Sequence, residues 1–200
     1  MSVINGAKHD SSNKAKKIQR VGSVFEFVEL IAISLGIIFF ISIFFVRHSL
    51  VVGGSMDKTL ANGDHLLISS FMYSPEVGDI VVCQVSDEQQ EARPRELSPK
   101  EAIVKRIVAL GGDRVRIENG TVFVNDVAIV EDYKYSDGLD WASDMDEITV
   151  SDGCVFVLGD HRNNSLDSRY IGEIDERLIL GKAVLRIAPL SRFGSLYDKE

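Results

Sequence analysis

The chain has few cysteines and no repeated units. Only Cys83 and Cys154 occur among its 200 residues, and neither has a second ligand at the spacing of a metal site. The sequence therefore predicts no bound metal and no other cofactor. Each cysteine adjoins a valine-rich run, which is typical of small buried residues, and a single disulfide between them stays open as an alternative outside the cytoplasm. Without internal repeats, the length fits one domain of ordinary size with a short appendage.

A surplus of basic residues is also missing. Lys and Arg number 22 against 30 Asp and Glu, which gives a net charge of -8. This charge is unevenly distributed, because residues 1–23 carry +4 and residues 24–200 carry -12. Phosphate binding needs a basic surface, so the acidic body argues against a nucleic-acid partner.

One long apolar run lies near the N-terminus. Residues 27–46 read FVELIAISLGIIFFISIFFV, and about 20 such residues cross the ~30 Å hydrocarbon core as a helix. We therefore predict a basic cytoplasmic tail over residues 1–23, a transmembrane anchor over residues 24–46 and an extracytoplasmic domain over residues 47–200, as the positive-inside rule requires. A cleaved signal peptide is the alternative, but the run is too long for one and no small-residue cleavage signature follows it.

Beyond residue 60, short apolar runs alternate with turn signals, which predicts an all-β domain with an antiparallel sheet. The runs cover residues 65–69, 79–85, 102–110, 114–117, 121–124, 127–130, 154–158 and 182–187. Asn119 and Gly120 favour a hairpin, because both positions of such a turn adopt a positive φ. Two polar stretches, residues 86–101 and 133–147, are predicted to be surface loops.

Ser55 follows two glycines a few residues beyond the apolar run, in the stretch GGSMDKTL over residues 53–60. A serine becomes a nucleophile only when a nearby base takes its proton. His161 and Asp160 could complete a Ser-His-Asp triad with Ser55, but no serine of the chain stands in a Gly-x-Ser-x-Gly elbow. A lysine in apolar surroundings is the other candidate base.

Lys105 is such a lysine, because it lies in the apolar run AIVKRIVAL over residues 102–110. Strand alternation puts Lys105 on one face and Arg106 on the other, so that one of the two should be buried or half-buried if the strand lies within the sheet. Burial disfavours the charged form and lowers the pKa of a lysine, whereas an arginine stays protonated. Alternatively, both are surface cations whose aliphatic stems cover apolar residues.

Four blocks of the sequence, in order, resemble the type I signal peptidases, which are membrane-anchored serine proteases of the bacterial Ser-Lys kind. The blocks are VVGGSMDKTL with GD over residues 51–64, GDIVV over 78–82, VKRIVALGGD over 104–113 and GDHRNNSLDSRYIG over 159–172, with GKA following at 181–183. The single anchor and the lack of a large inserted domain are similar to the compact forms of Gram-positive bacteria.

The resemblance implies an antiparallel β-sheet catalytic domain with Ser55 as the nucleophile and Lys105 as the general base. It also implies that the backbone N–H of Ser55 contributes to the oxyanion hole, next to Gly54. Gly53 stands where some members carry a serine or threonine, so the hole would depend on backbone donors.

In the last block the resemblance implies that Ser165 and Asp167 support the lysine and its surroundings, and that Arg169 pairs with Asp167. The chain departs from the family pattern at residues 57–58, which read Asp-Lys where a variable residue and then proline are common. It departs again at His161, where asparagine is usual.

The function implied by the resemblance is cleavage of N-terminal signal peptides from exported preproteins at the outer face of the cell membrane. The partners would be signal-peptide-bearing preproteins, membrane lipid and the secretion translocon. One alternative is a non-catalytic homologue that assists the assembly of surface structures such as pili, but the presence of both Ser55 and Lys105 counts against it. A self-cleaving regulator is disfavoured by the outward topology and the lack of a DNA-binding domain.

Overall fold

The computed structural model describes residues 26–40, 46–86, 89, 102–135 and 144–197. The chain divides into two compact units, Met1–Phe44 and Phe45–Glu200. In the first unit, residues 26–40 are helical and expose large apolar side chains such as Phe27 and Leu30. Within these described ranges, no helix is both long enough and apolar enough to cross a membrane. The predicted tail over residues 1–23 and residues 24, 25 and 41–45 of the predicted anchor lie outside the described residues.

The second unit is built mostly from β-strands. Its described part contains β1 (Val46–Leu50), β2 (His65–Ser69), β3 (Ile80–Cys83), β4 (Ile103–Leu110), β5 (Arg114–Glu118), β6 (Thr121–Val124), β7 (Val127–Ala128), β8 (Met145–Thr149), β9 (Cys154–Leu158), β10 (Ile174–Asp175), β11 (Ile179–Ala188) and β12 (Gly194–Ser195). Short helical turns occur at Arg162–Asn164, Ser168–Ile171, Glu176–Leu178 and Leu190–Arg192. The prediction of a mostly β domain is confirmed.

The strands form two antiparallel sheets. The larger has the order β1-β2-β11-β3-β4-β9-β10, with β12 paired to β11, and the smaller has the order β7-β6-β5-β8. The hairpin predicted at Asn119 and Gly120 joins β5 to β6, and both residues have positive φ, at 49° and 73°. Four strands were not predicted: β10 and β12 have only two residues each, and β1 and β8 lack apolar alternation.

The prediction of a surface loop over residues 133–147 is wrong for the part of this stretch that the structure describes. Its end forms β8, which pairs with β5. Tyr133 and Tyr135 are half-buried, since the Tyr133 ring covers the guanidinium of Arg106 at 3.9 Å from the ring centroid. Residues 136–143 lie outside the described residues. Most of the other predicted loop, residues 86–101, also lies outside them. Within that loop, the Gln89 amide donates hydrogen bonds to the carbonyls of residues 171 and 173.

The two cysteines do not form the disulfide considered above, because both are free. Cys83 pairs with Ile103 at the start of β4, whereas Cys154 precedes Val155, the partner of Leu110 at the end of β4. Between these two positions β4 rises by about 3.3 Å per residue, so the two cysteines lie roughly 25 Å apart along the sheet. Burial raises the pKa of the Cys83 thiol to about 12, which keeps it protonated.

The core is deepest around β4, which lies between β3 and β9. All six interior residues of β4, including Lys105 and Arg106, are buried, so the surface-cation alternative is wrong for both. Arg106 donates to both carboxylate oxygens of Asp160, at 2.9 and 2.7 Å, and to the Gly78 carbonyl. Burial opposes the charge of Arg106, but Asp160 outweighs it and raises the pKa of the guanidinium. Thr59 also donates to Asp160, at 2.6 Å.

We expect Asp160→Ala to lower the free energy of unfolding by about 3–5 kcal/mol, because it leaves Arg106 as an unpaired buried charge. As a matched control, Glu118→Ala removes a carboxylate from an exposed pair with Arg116 and should cost less than about 1 kcal/mol. Chemical denaturation of the full chain in detergent, followed by near-ultraviolet circular dichroism, measures both. Equal losses in the two variants would contradict the importance of the buried pair.

Candidate active site

Ser55 lies in a tight turn that is fixed to the core on its far side. The turn is closed by the Asp57 N–H, which donates to the Gly54 carbonyl at 3.1 Å. Met56, the next residue after Ser55, is fully buried in the cluster that also contains Leu60. This burial holds the turn in place and leaves Ser55 half-exposed.

Gly53 and Gly54 are each required in this turn, but for different structural reasons. Gly53 has a φ of +89°, which side chains rarely adopt, and its N–H donates to the Asn62 side chain at 3.1 Å. A Cβ on Gly54 would lie only 2.5 Å from Oδ2 of Asp57. Within the described part of the chain, the N–H of Ser55 has no hydrogen-bond partner, so this donor remains for a ligand.

Lys105 reaches this turn from the interior of the sheet. It lies opposite Val81 in the β3–β4 pair, and only 4% of its surface is exposed. Its Nζ donates a hydrogen bond to Oγ of Ser55 at 2.7 Å. This distance is short enough for proton transfer between the two side chains once the amine is neutral.

A cavity of about 620 Å³ opens beside the pair. It is lined by residues 48–56, 102–105 and 163–166. Ser55, Lys105 and Ser165 therefore share one cavity, whose walls come from β1 and the turn after it, from the start of β4 and from the loop after β9. Among the described residues, no group of three or more His, Cys, Asp or Glu side chains is arranged to hold a metal ion.

Asp167 and Arg169 stabilise the loop after β9 from behind. Arg169 donates to both carboxylate oxygens of the fully buried Asp167, at 2.8 and 2.9 Å, and to the Arg162 carbonyl at 2.7 Å. Burial opposes the charge of Arg169, but its hydrogen bonds to Asp167 and the negative charge of that carboxylate outweigh it and raise the pKa of the guanidinium. The Gly159 N–H donates to Asp167 at 3.0 Å, so the pair fixes both ends of the loop.

Ser165 packs directly against Gly159. A Cβ on Gly159 would lie 2.5 Å from the Ser165 Cβ and 2.6 Å from the Ser55 carbonyl oxygen. The glycine thus permits the close approach of the Ser165 loop to the Ser55 turn. The Ser165 hydroxyl is buried and has no hydrogen-bond partner in the described ranges.

The structure does not support the Ser-His-Asp alternative. In a triad the aspartate orients the histidine, but both carboxylate oxygens of Asp160 accept hydrogen bonds from Arg106 and one also accepts from Thr59. The Nδ1 of His161 instead lies 3.2 Å from the Gly54 carbonyl oxygen.

Sequence reasoning missed two parts of the site. It did not predict β1, which forms one wall of the cavity, because the strand VRHSL shows no alternation. It also missed the pairing of Arg106 with Asp160. A signal for that pairing was present, since a second cation inside an apolar strand requires a buried acidic partner.

The sequence has clear relatives. A family model described as signal peptidase, peptidase S26, matches residues 24–188. "Probable signal peptidase I-2" of Synechocystis sp. (strain ATCC 27184 / PCC 6803 / Kazusa) is 36% identical over 151 residues, which cover 74% of this chain and 66% of that protein. "Probable signal peptidase I-1" of the same organism is 32% identical over 174 residues, which cover 86% of each chain.

A Gram-positive relative extends the match to most of both chains. "Signal peptidase I P" of Bacillus subtilis subsp. natto is 29% identical over 188 residues, which cover 88% of this chain and 96% of that protein. The residues matched by the family model include the turn that carries Ser55 and the strand that carries Lys105. The chain therefore belongs to the signal peptidase family, peptidase S26, and is a serine protease of the signal peptidase I type.

Proposed function

We propose that this signal peptidase cleaves N-terminal signal peptides from exported preproteins with Ser55 as the nucleophile and Lys105 as the general base. The observation that carries the proposal is the 2.7 Å contact between Lys105 Nζ and Ser55 Oγ at the wall of an open cavity. Burial of Lys105 supports it, because an amine removed from water holds its proton less firmly. A surface lysine at the same distance would remain a cation and could not accept the serine proton.

The chemistry follows from this contact. The neutral amine of Lys105 takes the hydroxyl proton of Ser55 while the Ser55 oxygen attacks the scissile carbonyl. The Ser55 N–H then donates to the oxygen that becomes negatively charged, which stabilises the tetrahedral intermediate. Lys105 passes its proton to the leaving amine, and water hydrolyses the resulting acyl-enzyme by the same route.

We expect an extended peptide to lie along the cavity, with the small side chains near the cut that the family resemblance implies. In the described part of the larger sheet, β1 pairs only with β2, so its other edge is available to a peptide strand. Residues 48–50 of β1 line the cavity. Side chains one and three residues before the cut point the same way in an extended strand, and both would face the cavity wall.

The N-terminal segment is proposed as a membrane anchor, with its basic tail in the cytoplasm and residues 47–200 outside. The apolar run over residues 27–46 and the net charge of +4 on residues 1–23 support this orientation. Membrane lipid and the secretion translocon are then the expected neighbours of the enzyme, because an exported preprotein leaves the translocon at the membrane.

We expect Ser55→Ala and Lys105→Ala each to lower the cleavage rate of an exported precursor by about 10³-fold or more, because each variant lacks one half of the dyad. Ser195→Ala, at an exposed serine of β12, serves as the control and should cleave at the wild-type rate. The detergent-solubilised chain is incubated with the precursor, and the mature product is quantified on gels.

Cleavage that survives in either dyad variant would contradict the assignment of Ser55 or Lys105. No cleavage by any form, including the wild type, would instead favour the assembly-factor alternative.

We also expect the cleavage rate to rise with pH, by about tenfold per pH unit while Lys105 is mostly protonated, because only the neutral amine accepts the serine proton. Lys105→Arg keeps the positive charge but cannot lose its proton, so it should stay inactive at every pH. Initial rates measured from mildly acidic to alkaline pH test this expectation. A flat profile in the wild type would contradict the role of Lys105 as the base.

A further inference from the structure

We propose that His161 is a positioning residue that orients the peptide bond between Gly54 and Ser55, and thereby the oxyanion-hole N–H of Ser55. The inference rests on the proposed function, because it concerns the donor that would stabilise the reaction's oxyanion. It also accounts for the residues at which this chain departs from the family pattern, namely His161 and residues 57–58.

His161 contacts the backbone on both sides of the nucleophile. Its own N–H donates to the Ser55 carbonyl at 3.0 Å, and its ring Nδ1 lies 3.2 Å from the Gly54 carbonyl oxygen. These two carbonyls belong to the peptide bonds that follow and precede Ser55. One residue on the loop after β9 thus fixes the backbone of Ser55 at two points.

The contact with Gly54 matters because of peptide geometry. The peptide bond is planar and trans, so the C=O of Gly54 and the N–H of Ser55 point in opposite directions. When the carbonyl is held toward His161, the N–H must point away from His161. The N–H of Ser55 has no partner in the described part of the chain, so no other contact within these residues fixes that peptide plane from the donor side.

The proton on the imidazole must lie on Nδ1 for this contact to be favourable. The Gly54 carbonyl can only accept, so Nδ1 has to be the donor. Oδ2 of Asp57 lies 3.5 Å from the same Nδ1, and its negative charge favours a proton there. Asp57 also fixes the peptide bond between Gly54 and Ser55, because its N–H donates to the same Gly54 carbonyl at 3.1 Å.

The His161 ring is also held from its other side. The ring of Tyr135 lies 4.6 Å away between centroids, and Nζ of Lys58 lies 4.2 Å above the Tyr135 ring. The backbone of Tyr135 is anchored by its N–H, which donates to the Asp160 carbonyl at 2.8 Å. Only 9% of the His161 side chain is exposed, so the ring has little freedom to turn away from Gly54. The contacts from Asp57 to His161, from His161 to Tyr135 and from Tyr135 to Lys58 are therefore continuous, and they support the backbone around Ser55.

Two substitutions of His161 separate a positioning role from a packing role. His161→Phe keeps the ring and its contact with Tyr135 but removes the donor, and we expect it to lower kcat by about 10–100-fold with KM changed less than about threefold. The reason is that loss of an oxyanion-hole donor costs about 10²–10³ in kcat, and here the donor remains but its peptide is fixed only by the backbone contacts of residues 57 and 161. His161→Asn restores an N–H donor and should recover kcat to within about threefold of the wild type.

Thermal unfolding of both variants is measured in parallel, to separate kcat losses from unfolding. A wild-type kcat in His161→Phe would overturn the proposal, as would equal losses of kcat in the phenylalanine and asparagine variants. A rise in KM alone would also overturn it, because the donor acts on the transition state and not on the bound substrate.

A second measurement does not depend on cleavage. Long-range ¹⁵N–¹H spectra of the histidine-labelled full chain in detergent show which ring nitrogen carries the proton, and His161→Asn identifies the His161 signals. We expect a protonated Nδ1, and a shifted Ser55 amide resonance when His161→Phe is compared with the wild type in samples labelled with ¹⁵N at serine. A neutral ring protonated only at Nε2, or an unmoved Ser55 amide, would overturn the proposal. Failure of the wild type to cleave a precursor, with these signals as expected, would reject the proposed function and leave the positioning of Ser55 in place.

Discussion

The burial of two adjacent cations in β4 is the constraint on which the rest of the structure depends. Lys105 and Arg106 point to opposite faces of a strand whose interior is entirely buried. A buried cation must find a partner or lose its proton, and arginine cannot lose its proton. Arg106 is therefore paired with Asp160, while Lys105 on the other face donates a hydrogen bond to the hydroxyl of Ser55. The same strand thus carries a structural ion pair on one face and the lysine of the candidate active site on the other.

The partner of Arg106 explains why the loop after β9 is central to the site. Asp160 is held by Arg106 and Thr59, and the next residue, His161, contacts the backbone around Ser55. Farther along, the buried pair of Asp167 and Arg169 fixes the loop against the end of β9. Arg162 of the same loop forms a third buried pair with Glu131. These ion pairs set the position of the loop, and the loop contacts the turn that carries Ser55. Because the pairs are shielded from water, the arrangement is much less sensitive to salt than surface pairs would be.

Local sequence patterns predicted the strands that are apolar or bounded by glycine turns, and they failed elsewhere for identifiable reasons. The β5–β6 hairpin was predictable because Asn119 and Gly120 satisfy the positive φ that the turn requires. By contrast, β8 reads MDEIT with mostly exposed side chains, and its pairing with β5 supplies backbone hydrogen bonds rather than burial. Strand β1 directly follows the apolar run and has no alternation of its own, so nothing local separated it from the predicted anchor.

The sequence by itself indicated Ser55 and Lys105 as candidate site residues, because a serine after two glycines and a lysine in an apolar strand are local features. It also determined the mostly β fold, through the spacing of apolar runs and turns. Only the tertiary structure decided that Ser55 and Lys105, 50 residues apart, meet at 2.7 Å, and that Asp57 and Lys58 belong with His161 and Tyr135. These contacts depend on strand order and register between distant segments, and periodicity within a segment carries no information about its distant partners.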